Sequence, residues 1–292
     1  MSSPVVRVRV PASTANLGPG FDALGLALAL YDDVEVTVVA SGLRVDVRGE
    51  GAREVPTDEA NLVVRAIRAA CTRFDCRPDG LWVRCHNSIP HGRGLGSSAA
   101  AAVAGVLAGY ALAGIDPDAA ALDLAAGFDG HADNAAASLL GGVVISWKDA
   151  QSFRAVRLEP HPELAPVLLV PAETSATTVT RGLLPAEVPH ADAAFTAGRA
   201  ALLVHALTAA PQLLLVATED RLHQPYRRTA YPATARLVAA LRTAGIPAAV
   251  SGAGPAVLAL PPSGEVPIGV YTSGFTQYPL DVAREGAAIE WG

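Results

Sequence analysis

Lysine is almost missing: Lys148 stands alone among 292 residues, and arginine supplies the rest of the positive side-chain charge. No lysine is available where a Walker-type phosphate loop needs one, nor for the strand where protein kinases carry theirs. A Schiff base would require Lys148 itself to sit in a site. Cysteine is scarce too. Cys71, Cys76 and Cys85 are odd in number and lack C-x-x-C spacing, so neither a disulfide framework nor a zinc site is indicated, and thiols without chemistry are expected. The start "MSSPVVRVRVPAS" has no charged region, apolar core and cleavage site in series, which predicts a cytoplasmic protein. Basic excess is also absent. A net charge of −6 argues against nucleic acid as a partner, because phosphate-backbone affinity needs clustered Lys and Arg.

What the chain has in quantity is apolar residues, 51%, and enough length for one large domain or two ordinary ones. Ala99 to Ile115 carries no charge, and Gly105 and Gly109 form a G-x-x-x-G. The run is short for a membrane span and built from Ala and Gly, so it predicts a buried helix with a small face for close packing, and no membrane partner. Earlier, Val6, Val8 and Val10, then Val34, Val36 and Val38, then Leu43, Val45 and Val47 alternate with polar residues, the period of half-buried strands. The short "ASG" between the second and third predicts a hairpin. "TDEANLVVRAIRAACTRF" reads as a helix capped by Thr57 or Asp58, and Asp116-Pro117 as the start of another running to about Gly127. "LWVRCHNSIP", "GGVVISW", "LAPVLLVPA" and "PAAVSGAGPAVLAL" are strands; helices are expected around 192–209 and 231–245. The pattern lacks strict β-α-β alternation and predicts an α+β fold in two parts, 1–155 and 156–292, divided within "SWKDAQSFRAVRLEPHPE".

Four segments carry polar and glycine residues that a bland domain does not need. "PASTANLGPGFDALGLAL" sets Asn16 and Asp22 on either side of a glycine turn. "IPHGRGLGSSAAA" feeds a glycine-rich turn into a helix N-terminus, where backbone N–H groups and the positive dipole end can receive phosphate. "LDLAAGFDGHADNAAASLLGG" concentrates Asp123, Asp129, His131, Asp133 and Asn134, with the oxygen ligands that Mg²⁺ prefers. "VSGAGPAVLAL" breaks a strand with glycines that can bring backbone close to a ligand.

Taken in this order and spacing, the four segments resemble the GHMP kinase superfamily. "GHADN", "TRGLLP" (Thr180 to Pro185) and "DRLHQPYR" (Asp220 to Arg227) resemble its homoserine kinase branch specifically. The resemblance spans residues from about 5 to 260. It implies a GHMP kinase fold, with an N-terminal ribosomal-protein-S5-like domain and a C-terminal ferredoxin-like α/β-sandwich. It implies ATP held, without a lysine, by Pro90, Gly92, Arg93, Gly94, Leu95, Gly96, Ser97, Ser98 and Ala99, by Gly252 and Gly254, and by Asn61 at the adenine; helix-start duty explains Asn61 equally well. Mg²⁺ is implied on Ser98 and on an acidic residue: Asp123, eleven positions before Asn134, or Asp129, each shorter than the glutamate of relatives. The acceptor amino acid is implied to meet Asn16, Asp22, His131, Arg181 and Arg227, the arginines taking its carboxylate and Asp22 its ammonium. Ser98, Asp123 and Asn134 are the implied catalytic residues. Asn134 stands where several relatives have an aspartate that could serve as base. An amide cannot take that proton, so Asn134 is expected to orient the acceptor hydroxyl. A homodimer is expected from the resemblance alone. Another small alcohol as acceptor, or a ligand-binding protein without catalysis, are the competing readings.

Overall fold

A computed structural model describes residues 5–173 and 182–292. The chain opens with β1 (Val5–Ala15), β2 (Leu24–Val39), β3 (Gly42–Gly49), α1 (Leu62–Arg73), β4 (Gly80–Asn87) and α2 (Ser97–Ala113). Then come α3 (Ala119–Ala126), α4 (Asp133–Leu140), β5 (Val143–Asp149) and β6 (Ser152–Leu158). The second half holds β7 (Val167–Pro171), α5 (His190–Thr208), α6 (Leu214–Ala217), α7 (Gln224–Arg227), α8 (Pro232–Thr243), β8 (Ala248–Val250), β9 (Val257–Ala259), β10 (Phe275–Pro279) and β11 (Ala288–Trp291).

Seven described strands form the first sheet, in the order β11-β1-β2-β4-β3, with a β5–β6 ribbon attached to the first residues of β2. Four form the second, β10-β7-β9-β8. The alternating valines behave as their spacing demands: Val6, Val8, Val10, Val34 and Val36 are buried, and Arg7, Arg9 and Glu35 point the other way.

The expected β2–β3 hairpin does not form. β4 lies between the two strands, antiparallel to β2 and parallel to β3, and Gly80 pairs with both Val39 and Gly42. The link through Ser41 therefore arches over the start of β4. A Cβ on Gly80 would stand 2.4 Å from the Ser41 carbonyl carbon, so glycine is what lets the strand enter there. The helix caps differ as well. Asn61, not Thr57 or Asp58, caps α1, because Asp58 spends its carboxylate on the Ala60 N–H in the turn before. Asp118, not Asp116, caps α3, and its carboxylate also takes the Tyr110 hydroxyl at 2.6 Å. Nor is "SWKDAQSFRAVRLEPHPE" loose: most of it is the β5–β6 hairpin, so the chain leaves the first sheet between Leu158 and Val167 and returns to it only with β11, beside β1.

The uncharged α2 is buried on nearly all sides. A Cβ on Gly105 would meet the Val63 carbonyl oxygen of α1 at 2.4 Å, and one on Gly109 would meet the Ala70 Cβ at 2.5 Å. The G-x-x-x-G is thus the close-approach face between α1 and α2. No described helix is long and apolar enough to cross a membrane.

Candidate active site

Between one face of the first sheet and the turn that joins β8 to β9 lies a cavity of about 620 Å³, in the size range of small-ligand sites. One part of its wall is apolar, from Val47, Val55, Pro56, Leu62 and Val63. Another is polar, from Asn16, Asp22, His131, Asp133, Asn134 and Arg227. The glycine-rich loop and the N-terminus of α2 line it too, through Gly92, Gly94, Leu95, Gly96, Ser97 and Ser98.

The loop needs its glycines. Gly92, Gly94 and Gly96 have φ of 62°, 84° and 69°. A Cβ on Gly94 would lie 2.2 Å from the Ser251 carbonyl oxygen, and one on Gly96 would lie 2.0 Å from Ser13 Oγ. Gly96 is the residue before α2, and no side chain caps the amides of the first turn, which also holds no acidic residue. An uncapped helix end favours an anion by about 0.5 to 2 kcal/mol, with hydrogen bonds from the amides in addition. Arg93 faces elsewhere: its guanidinium donates to the carbonyls of Pro171 (3.0 Å), Ala172 (3.0 Å) and His91 (3.1 Å), pinning the loop to the end of β7. Pro90 and Ala99 also stay off the cavity wall, both buried.

The two acidic alternatives separate. Asp129 lines the cavity, and its Oδ2 accepts the Ser98 hydroxyl at 2.9 Å. Asp123 does not line it; its Oδ1 accepts the Phe153 N–H at 2.8 Å, tying α3 to β6. That contact explains the aspartate at 123 without a ligand. A hydroxyl and one carboxylate are hard oxygen donors, and no group of three or more His, Cys, Asp or Glu suited to a metal occurs among the described residues. Mg²⁺ fits such a pair, since it takes few protein ligands and fills its shell from water and phosphate.

Asn16 and Asn61 line the cavity while performing structural work. Asn16 (φ 67°) donates through Nδ2 to the Gly252 carbonyl at 2.8 Å and accepts the Asp22 N–H at 2.9 Å. Asn61 accepts the Val63 N–H as helix cap and donates to the Pro56 carbonyl at 2.7 Å. Two bonds do not exhaust a carboxamide, which has two donors and two acceptor sites. Gly252, whose carbonyl also accepts Arg227 Nη1 at 3.3 Å, lines the cavity with Gly254. Arg227 is only 3% exposed. Arg181 lies outside the described residues, as does Thr180 of the same motif.

Sequence reasoning missed Ser13. Its buried hydroxyl donates to Asn134 Oδ1 at 3.0 Å, and Ser138 Oγ stands 3.3 Å behind it. With its oxygen fixed this way, the Asn134 amide contacts other groups through its NH₂, one hydrogen of which is directed to Asp133 Oδ1 at 3.4 Å while the second remains a donor. Ser13 was visible in the first motif, but its partner lies 121 positions on.

It missed Asp32 too. This cavity-lining carboxylate, 4% exposed, accepts the N–H groups of Ser88 (2.7 Å) and Ile89 (2.9 Å), just before the loop. Burial pushes its carboxyl up from 3.8 to about 6, against the two amide bonds, which pull it down. The folded state thus binds the proton more tightly than the unfolded one, and the cost of an ionised Asp32 is fully present above about pH 6 and relieved toward pH 4. Asp32→Asn keeps an acceptor for both amides. It is expected to stabilise the protein by up to about 3 kcal/mol at about pH 8 and by almost nothing at about pH 4, read from urea unfolding at each pH.

The remaining nucleophile candidates fall away. Lys148 is exposed on β5, over the Phe153 ring at 5.1 Å. Cys85 touches the cavity, but burial pushes its thiol up to about 12.

Comparison with known proteins agrees with this architecture. The family model for the GHMP kinases N terminal domain matches residues 61–142, and that for the GHMP kinases C terminal matches residues 195–271. A homoserine kinase of Streptomyces coelicolor is 57% identical over 260 residues, 87% of this chain and 84% of its own. One of Rhodococcus erythropolis is 53% identical over 268 residues, 87% and 85% of the two chains. The crystal structure of homoserine kinase from Cytophaga hutchinsonii superposes with a TM-score of 0.86 at 26% identity, covering 98% of this chain and 97% of that one. With sequence, both family halves and fold in agreement, the chain belongs to the homoserine kinases of the GHMP kinase family.

Proposed function

We propose that this enzyme transfers the γ-phosphoryl group of ATP to the side-chain hydroxyl of L-homoserine, giving O-phospho-L-homoserine and ADP for threonine synthesis. The observation that carries the reading is that one cavity is lined both by the glycine-rich loop with the uncapped N-terminus of α2 and by the buried Arg227. A sugar or mevalonate-type acceptor has less use for a buried cation there; an amino acid's carboxylate has direct use for it. A cytoplasmic location comes to the reading from the N-terminal sequence, and a homodimer from the family resemblance alone.

Phosphoryl transfer asks a protein mainly for positioning and charge neutralisation. The Gly92 to Ser98 loop and the α2 end receive the triphosphate. Ser98 and Asp129 would hold Mg²⁺, which when bound neutralises charge on the β- and γ-phosphates. Arg227 takes the acceptor's carboxylate, with Arg181 joining it as the resemblance implies, and Asp22 takes the ammonium. Asn134, held by Ser13, orients the hydroxyl. That oxygen forms the new P–O bond as the bond to the β,γ-bridging oxygen breaks. Its proton leaves to a phosphate oxygen or to water, since an amide cannot accept it.

A coupled ADP-release assay over homoserine, serine, threonine, mevalonate and galactose tests the assignment; a clear preference for any acceptor other than homoserine overturns it. In the same assay Arg227→Ala is expected to raise KM for homoserine about 100-fold while KM for ATP stays within a few-fold. Equal losses for both substrates would sink the carboxylate role.

A further inference from the structure

His223 does not line the cavity, yet it touches the arginine assigned to the acceptor. It is fully buried, directly before α7, and four residues ahead of Arg227. Its two ring nitrogens meet partners of opposite kind. Nε2 lies 2.7 Å from the Gly18 carbonyl oxygen, which can only accept. Nδ1 lies 3.1 Å from Arg227 Nη1, which can only donate. Together these contacts assign one tautomer and one charge state: neutral imidazole with its proton on Nε2. The other tautomer sets a donor against the guanidinium, and the imidazolium sets a cation there.

The surroundings agree. Burial pushes the His223 ring pKa down, and Arg227 adds to that, against the pull of Asp220, the Gly18 bond and Asp22. Asp220 sits 3.4 Å from Nε2, but its oxygens already accept the N–H groups of Leu222, His223 and Gln224, so it anchors the turn. Phe21, next to Asp22, stacks on the ring at 5.0 Å between centroids. The imidazole is thus wedged between the first motif's loop and the arginine.

We propose that His223 is a positioning residue: its Nδ1 accepts from Arg227 and holds the guanidinium against the Gly252 carbonyl, so that the fork is set for the acceptor's carboxylate before substrate arrives. The proposal rests on Arg227 binding that carboxylate. Fold maintenance alone would ask only for a filled volume; this role asks for a neutral acceptor at one ring position.

Two substitutions separate the nitrogens. His223→Asn places an amide near Nδ1 and can turn its oxygen to Arg227, while losing Gly18. His223→Gln reaches the Nε2 position, keeps a donor to Gly18, and leaves Arg227 without its acceptor. The expected result is a KM for homoserine raised about tenfold in His223→Gln and within about threefold of the parent in His223→Asn, with kcat and KM for ATP little changed in both. Equal effects of the two, or KM for ATP rising in step with KM for homoserine, would overturn the proposal. Arg227→Ala measured alongside tells the failures apart: if it leaves KM for homoserine unchanged the carboxylate reading fails, and if it raises KM while His223→Gln does not, only the His223 role fails. Nitrogen NMR of the unmutated protein is independent of variant folding. It should show Nε2 protonated and Nδ1 bare at neutral pH; a proton on Nδ1 overturns the proposal.

Discussion

Gly94→Ala will leave a protein that binds ATP at least about 100-fold more weakly and unfolds with about 2 to 4 kcal/mol less stability. Two effects add. The residue sits at φ 84°, which costs a side chain strain, and the new Cβ would stand 2.2 Å from the Ser251 carbonyl oxygen. That neighbour is backbone, and Ser251 is itself fixed: its hydroxyl donates to the Gly94 carbonyl at 2.6 Å and lies 2.8 Å from Thr14 Oγ1. Relief must come from moving the loop, and with it the amides proposed to receive the triphosphate. Gly114→Ala is the control, because Gly114 also has positive φ, 68°, but its Cβ would meet nothing within 4 Å. It should cost about 1 kcal/mol at the end of α2 and leave ATP affinity intact. Calorimetric titration with ATP reads both variants; similar affinities in the two would remove the steric argument.

On the reading that Ser98 and Asp129 hold Mg²⁺, Asp129→Asn is expected to lower kcat at least about 100-fold and to leave ATP binding insensitive to added Mg²⁺, with calorimetric titration as the check. The carboxylate that accepts the Ser98 hydroxyl becomes an amide with no charge to offer a cation. Asp123→Asn should keep kcat within about twofold, since its oxygen can still accept the Phe153 N–H at little cost in stability. A kcat for Asp123→Asn as low as that of Asp129→Asn would return the metal to α3.

The spacing of residues settled what depends on local physics. Period-two valines gave strands, glycines gave the loop, and an uncharged Ala-rich run gave a buried helix with its small face against α1. Partnerships were hidden. Nothing in "ASG" shows that β4 will enter between its flanking strands; Gly80 is the trace, and it is legible only once the Ser41 link is seen to pass over it. The choice between Asp123 and Asp129 was open because both stand in one polar segment, eight and two positions before His131, and each is shorter than the glutamate of relatives; only the fold shows that one bonds to β6 and the other to Ser98. Ser13 gave no sign of its bond because Asn134 is 121 positions distant, and His223, though only four residues from Arg227, is held by Gly18 from 205 positions away. Asn16 and Asn61 show the reverse: the family resemblance marked them for ligand, with helix-start duty an equal reading for Asn61, and geometry gives each a structural bond at both ends of the amide.

The place of β4 also bears on how the chain reaches this state. β2 and β3 follow one another closely, yet must wait, about 10 Å apart, for a strand that comes only after α1. Until then their facing edges present bare amides and carbonyls beside valines, the kind of surface that recruits other chains. Closing the arch on each other would be the quicker local event, and it would have to be undone. Folding of the first sheet should therefore be paced by capture of the Gly80 to Asn87 segment, a non-local step of the sort that slows β-rich domains.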